Sequence, residues 1–109
     1  MKALLIVSVL GLASLSAAQS TQTFAGVITD DMCWKDGHET MRMGPNDAEC
    51  TKACVSAHGA EYVLADGKNV YTLSDQQSPE KFAAQKVTVV GTLDAKTKTI
   101  KVQSIAPAK

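Results

Sequence analysis

Lys86-Val87-Thr88-Val89-Val90-Gly91-Thr92-Leu93 is the stretch whose reading decides the fold. Val87, Val89, Gly91 and Leu93 fall on one face, and Lys86, Thr88, Val90 and Thr92 on the other. That period of two belongs to a half-buried strand rather than a helix. Working outward, Asp94-Ala95-Lys96-Thr97 is a turn leading to a last strand, Thr99–Ile105, and residues 106–109 are expected to be a loose tail. Upstream, Ser78-Pro79-Glu80 opens a short helix, Pro79 to Ala84, anchored by Phe82. Glu61 to Ala65 and Val70 to Leu73 flank the hairpin signal Asp66-Gly67. The first strand is expected at Thr21 to Thr29, ending at Asp30-Asp31.

Between the first two strands lies an excursion, residues 32–59, whose first part, Met32 to Pro45, reads as irregular. Asn46 then reads as an N-cap, with Asp47 in the first turn and Glu49 completing a capping box. The helix runs to His58, and Gly59 is its natural stop. The order is strand, helical excursion, two strands, short helix, two strands. It predicts a mainly β domain over residues 19–105, a small five-stranded OB-like barrel with a Cys-bearing insertion.

The chain has 109 residues, 11 basic and 11 acidic, which suits one domain and excludes a multidomain enzyme. Its apolar residues are unevenly spread, and 13 of them lie in residues 1–18. Met1-Lys2 is followed by the apolar run Ala3 to Leu15 and by Ser16-Ala17-Ala18, the layout of a cleavable signal peptide ending at Ala18. The run is too short for a membrane span, which needs about 20 residues, and Gln19 stands where a lipid anchor would require Cys. The expected location is therefore periplasmic or secreted, with no membrane anchor after the leader is removed. Without Lys2 the neutrality resolves into an acidic Cys-bearing part and a lysine-rich C-terminal part. The basic part offers only Phe82 for stacking, so no nucleic-acid partner is expected.

Several segments resemble a known group: Ala25 to Cys33 (AGVITDDMC), Gly59 to Leu64 (GAEYVL), Val70 to Leu73 (VYTL), and Phe82 to Leu93 with its VTVVGT core. They are similar to a family of small, secreted, uncharacterised bacterial proteins that carries a domain-of-unknown-function label. The resemblance implies an OB-like fold and export, and brings no activity with it. It also implies a pattern of one Cys, a His a few residues on, and two Cys four apart. Those positions are Cys33, His38, Cys50 and Cys54, with Trp34 and a C-x4-H spacing as departures from the pattern.

Three Cys in an exported chain cannot all be used by one disulfide. Cys50, Cys54 and His58, four apart on the expected helix, would share a stripe. Three readings stay open. One is a disulfide from Cys33 to Cys50 or Cys54, worth about 3 kcal/mol of loop-closure entropy, in a structural or interaction domain. The second is a soft-metal site of Cys33, Cys50 and Cys54 with His38 or His58. Three thiolates and an imidazole suit zinc, whereas the thioethers of Met41 and Met43 would favour copper(I). The third is thiol redox chemistry using Cys54 and His58. No hydrolase nucleophile motif occurs, and no calcium-loop motif organises the acidic residues. The expectation is a non-enzymatic binding or accessory module whose partner is a small ligand, a metal ion or a protein.

Overall fold

The computed structural model describes residues 20–36 and 46–108, and no side chain of residues 34–36. The expected leader at 1–18, His38, Met41 and Met43 lie outside the described residues, as does the Trp34 side chain. The elements are β1 (Gln22–Asp30), α1 (Asp31–Asp36), α2 (Asp47–His58), β2 (Tyr62–Ala65), β3 (Val70–Leu73), a 3-10 turn (Ser78–Phe82), β4 (Lys86–Asp94) and β5 (Thr99–Pro107). No described helix is long and apolar enough to cross a membrane.

The domain is mainly β, and its five strands close into a ring in the order β1-β2-β3-β5-β4. β1 makes closure possible because it is shared: residues 22–27 pair with β4 and residues 27–30 with β2, both antiparallel. The other seam is a short parallel contact, Thr72 with Thr99 and Leu73 with Ile100. Closing the ring leaves little unpaired strand edge, which in a small all-β chain would otherwise invite association.

The alternation of residues 86–93 places Val87 and Val89 in the interior with Ile28, Tyr62, Leu64, Leu73 and Ile100. At Gly91 the inward face meets backbone: a Cβ there would lie 2.2 Å from the Lys101 carbonyl oxygen. The register between β4 and β5 shifts at this point, between Val90 and Gly91. Glycine is required because β5 crosses too closely for any side chain.

Turns behave as their residues dictate. Asp66 Oδ1 accepts from the Lys68 and Asn69 backbone N–H groups, while Gly67 adopts φ 96°, closing the β2–β3 hairpin. Those two N–H bonds hold the Asp66 carboxyl below the usual carboxylate range. Past β3, the Gln76 side chain works as a substitute strand. Its Oε1 accepts from Tyr62 N at 2.7 Å, and its Nε2 donates to the carbonyls of Tyr62 and Leu73 at 3.0 and 2.9 Å. These bonds satisfy backbone groups at the start of β2 and the end of β3.

Three expectations change. Met32 to Pro45 does not begin irregularly, because a six-residue helix, α1, follows β1 without a break. The short helix is a 3-10 turn that starts at Ser78, one residue before Pro79. The last strand passes Ile105: Ala106 and Pro107 pair with Thr88 and Val87, and Ala108 N donates to Lys86 O. Alternation fades there, so only the partner strand reveals that the backbone continues in register.

Candidate metal centre

α1 and α2 pack beside the ring and form a second, smaller core of Cys33, Cys50, Cys54 and Ala60, flanked by Met32 and Val55. Val55 also touches the main interior, so the two cores are continuous. Local chemistry positions each helix. Asp30, the last residue of β1, accepts at Oδ1 from Met32 N (3.0 Å) and Cys33 N (2.8 Å). A carboxylate taking the first N–H groups of a helix is an N-cap. Asp31 then ties α1 to β2: its N–H donates to Glu61 O, and its Oδ1 accepts from Glu61 N.

α2 begins and ends as its sequence indicates. Asn46 Oδ1 accepts from Glu49 N at 2.9 Å. Gly59 turns left-handed at φ 68°, and the N–H groups of Gly59 and Ala60 both reach the Cys54 carbonyl. The helix thus terminates one turn beyond Cys54. Cys50 and Cys54 sit on its inward face with no exposure, and Cys33 comes down from α1 between them.

Cys33 Sγ lies 3.5 Å from Cys50 Sγ and 3.4 Å from Cys54 Sγ, and all three sulfurs are within 4.8 Å of one another. A disulfide requires about 2.05 Å, so no pair among them is at bonding distance. The expected Cys33 staple to Cys50 or Cys54 is therefore not formed in this structure, although Cys33 is adjacent to both. Burial pushes the Cys33 thiol strongly upward, and the adjacent Asp30 carboxylate and both other sulfurs add to the rise. Burial also raises Cys54, partly opposed by its hydrogen bond with Cys33. These thiols hold their protons firmly until something stronger displaces them.

Two buried oxygens in this region have no hydrogen-bond partner: Asp30 Oδ2 and Thr51 Oγ1. An open pocket lined by Val27, Thr29, Cys33, Asp47, Ala65 and Ala84 reaches from the surface to the cluster. A small solute could approach Cys33 by this route.

Of the residues singled out from the sequence, Cys33, Cys50 and Cys54 come together, whereas His58 does not join them. His58 is exposed at the end of α2 and is not among the ligand atoms gathered at the cluster. A step of four residues advances about 40° around a helix. Two steps from Cys50 therefore carry His58 off the buried stripe, in the last turn of α2. Asp30 was missed as a site residue. Its signal was present as a carboxylate at the end of a strand with Cys33 three residues later, a spacing that suits a cap on a helix.

Among curated proteins and among solved structures, no match to this chain was found. A family model described as "Protein of unknown function (DUF5818)" matches residues 54–108, which include Cys54 and all of β2 to β5. That match spans half of the chain, and the protein belongs to the DUF5818 family.

Proposed function

We propose that this protein is an exported, non-enzymatic binding module of OB type whose specific chemistry is a soft-metal site formed by Cys33, Cys50 and Cys54. The observation that carries the reading is the convergence of three buried sulfurs, from two helices, within 4.8 Å of one another. Zinc–thiolate bonds of about 2.3 Å place tetrahedral sulfurs roughly 3.8 Å apart. The two separations from Cys33, 3.4 and 3.5 Å, need to open by only a few tenths of an ångström. Thiolates suit zinc and copper(I) alike. A metal would displace protons that burial otherwise retains, linking its binding to folding of the helical part.

The OB reading is supported by the strand order, by β1 serving two neighbours, and by a short helical turn between β3 and β4. Export is supported by Lys2, the apolar run Ala3 to Leu15 and the small residues Ser16-Ala17-Ala18. One observation favours a second reading: Cys33 stands almost equally near two thiols, so oxidation would give one staple and leave one thiol.

Metal analysis, thiol counting and intact mass on protein recovered from an oxidising compartment separate the two. The metal reading expects one zinc or copper per chain, and three alkylatable thiols only after the metal is stripped. One reactive thiol, no metal, and a mass two daltons below the reduced chain would replace it with the stapled domain.

A further inference from the structure

We propose that Asp30 sets the charge class of the bound ion, so that the Cys33-Cys50-Cys54 cluster selects a divalent metal such as zinc over a monovalent soft ion. The inference rests on reading the cluster as a metal site, and names which metals that site prefers. Asp30 has no solvent exposure. Its Oδ1 is occupied by two backbone N–H groups of α1. Its Oδ2 is equally buried and has no partner. The carboxylate lies against the Cys33 side chain, and no described Lys or Arg pairs with it.

A buried carboxylate oxygen with no donor is costly, and a cation beside it is one of the few things that removes the cost. The sulfurs alone satisfy the 4.8 Å grouping, so Asp30 acts beside Cys33 as a positioning and charge residue rather than as a fourth ligand. Three thiolates and one carboxylate carry four negative charges. A dication leaves a net of minus two and a monocation minus three, in a place where water does not screen the remainder. Each added negative charge therefore favours the dication. Thiolate softness alone, which draws copper(I) and silver(I), does not make that distinction.

Asp30→Asn isolates the effect. Asn is as good an N-cap as Asp, so the two N–H bonds that hold α1 survive. The change removes one charge and replaces the unpartnered oxygen with an amide nitrogen. Asp30→Ser, another good cap without charge, carries the test if the Asn variant does not fold.

Zinc(II) and silver(I) affinities are measured by chelator competition on reduced full-length mature protein, with circular dichroism to verify the fold. The expected result is a fall of about tenfold or more in the zinc-to-silver affinity ratio of the variant. An unchanged ratio, whether both affinities stay the same or drop together, overturns the proposal and leaves Asp30 as a helix cap only. Wild-type protein that binds neither ion stoichiometrically overturns the thiol-site reading itself.

Discussion

Raising the pH of the reduced, metal-free protein from 8 to 10 should weaken it markedly, and Cys33 should account for a definable part of the loss. Cys33 is 2% exposed, and burial, Asp30 and the two neighbouring sulfurs all raise its pKa in the fold. In the unfolded chain the same thiol ionises near 8.5. A pKa raised by folding gives stability that is complete below the unfolded value and is lost as the pH climbs toward the folded one. Across this window the unfolded chain releases the Cys33 proton while the folded chain keeps it. Linkage then gives a loss of about 2 kcal/mol for this thiol by pH 10. Cys54 changes in the same direction. Against a total of about 5–15 kcal/mol for a small domain, this would appear as a clear shift of the urea midpoint.

The assay is urea unfolding at several pH values on wild type and Cys33→Ser, both reduced and treated with chelator. Subtracting the variant removes the contributions of lysines and tyrosines, including Tyr62, whose buried hydroxyl is also pushed up. Parallel stability curves for the two proteins between pH 8 and 10 would falsify the argument. Zinc should reverse the sign. Thiolates already formed on a metal have no proton to lose at high pH, so the alkaline fall disappears, and stability declines toward acid as protons compete for sulfur.

Other substitutions probe the scaffold. Gly91→Ala sets a methyl against the Lys101 carbonyl and the Ile100 side chain, and should cost about 1–3 kcal/mol, read as a lowered melting temperature. Gln76→Ala removes three hydrogen bonds to the backbone of Tyr62 and Leu73. Its cost should be about 1–3 kcal/mol, with faster amide exchange at Tyr62 as the local signature. Thr51→Val replaces a buried hydroxyl that makes no hydrogen bond with a methyl of the same shape. In the metal-free protein it should be neutral or stabilising by about 1 kcal/mol, and a clear loss of stability by urea titration would mean that the hydroxyl has a partner.

Much of the framework was legible from local rules because each involves neighbours in the chain. Alternation from Lys86 to Leu93 reports one buried face wherever the partner strand lies. Asn46 and Gly59 bound α2 through bonds spanning a few residues, and Asp66-Gly67 closes its own turn. Helix α1 escaped because it is only six residues long, and its decisive cap belongs to the preceding strand. The extension of β5 to Pro107 escaped because the pattern weakens there while pairing to β4 continues.

The candidate site divides along the same line. The amino-acid order alone determined that Cys50 and Cys54 share one helix face, because four residues make nearly a turn. It also determined that three cysteines could not all pair among themselves. Only the tertiary structure decided that Cys33, 17 residues before Cys50, comes down between them, that His58 stays outside, and that a buried carboxylate stands beside the sulfurs. Those facts depend on how α1 packs on α2 and how β1 ends beneath both. Contacts between elements far apart in the chain are set by the shape of the whole core, and no local spacing carries that information.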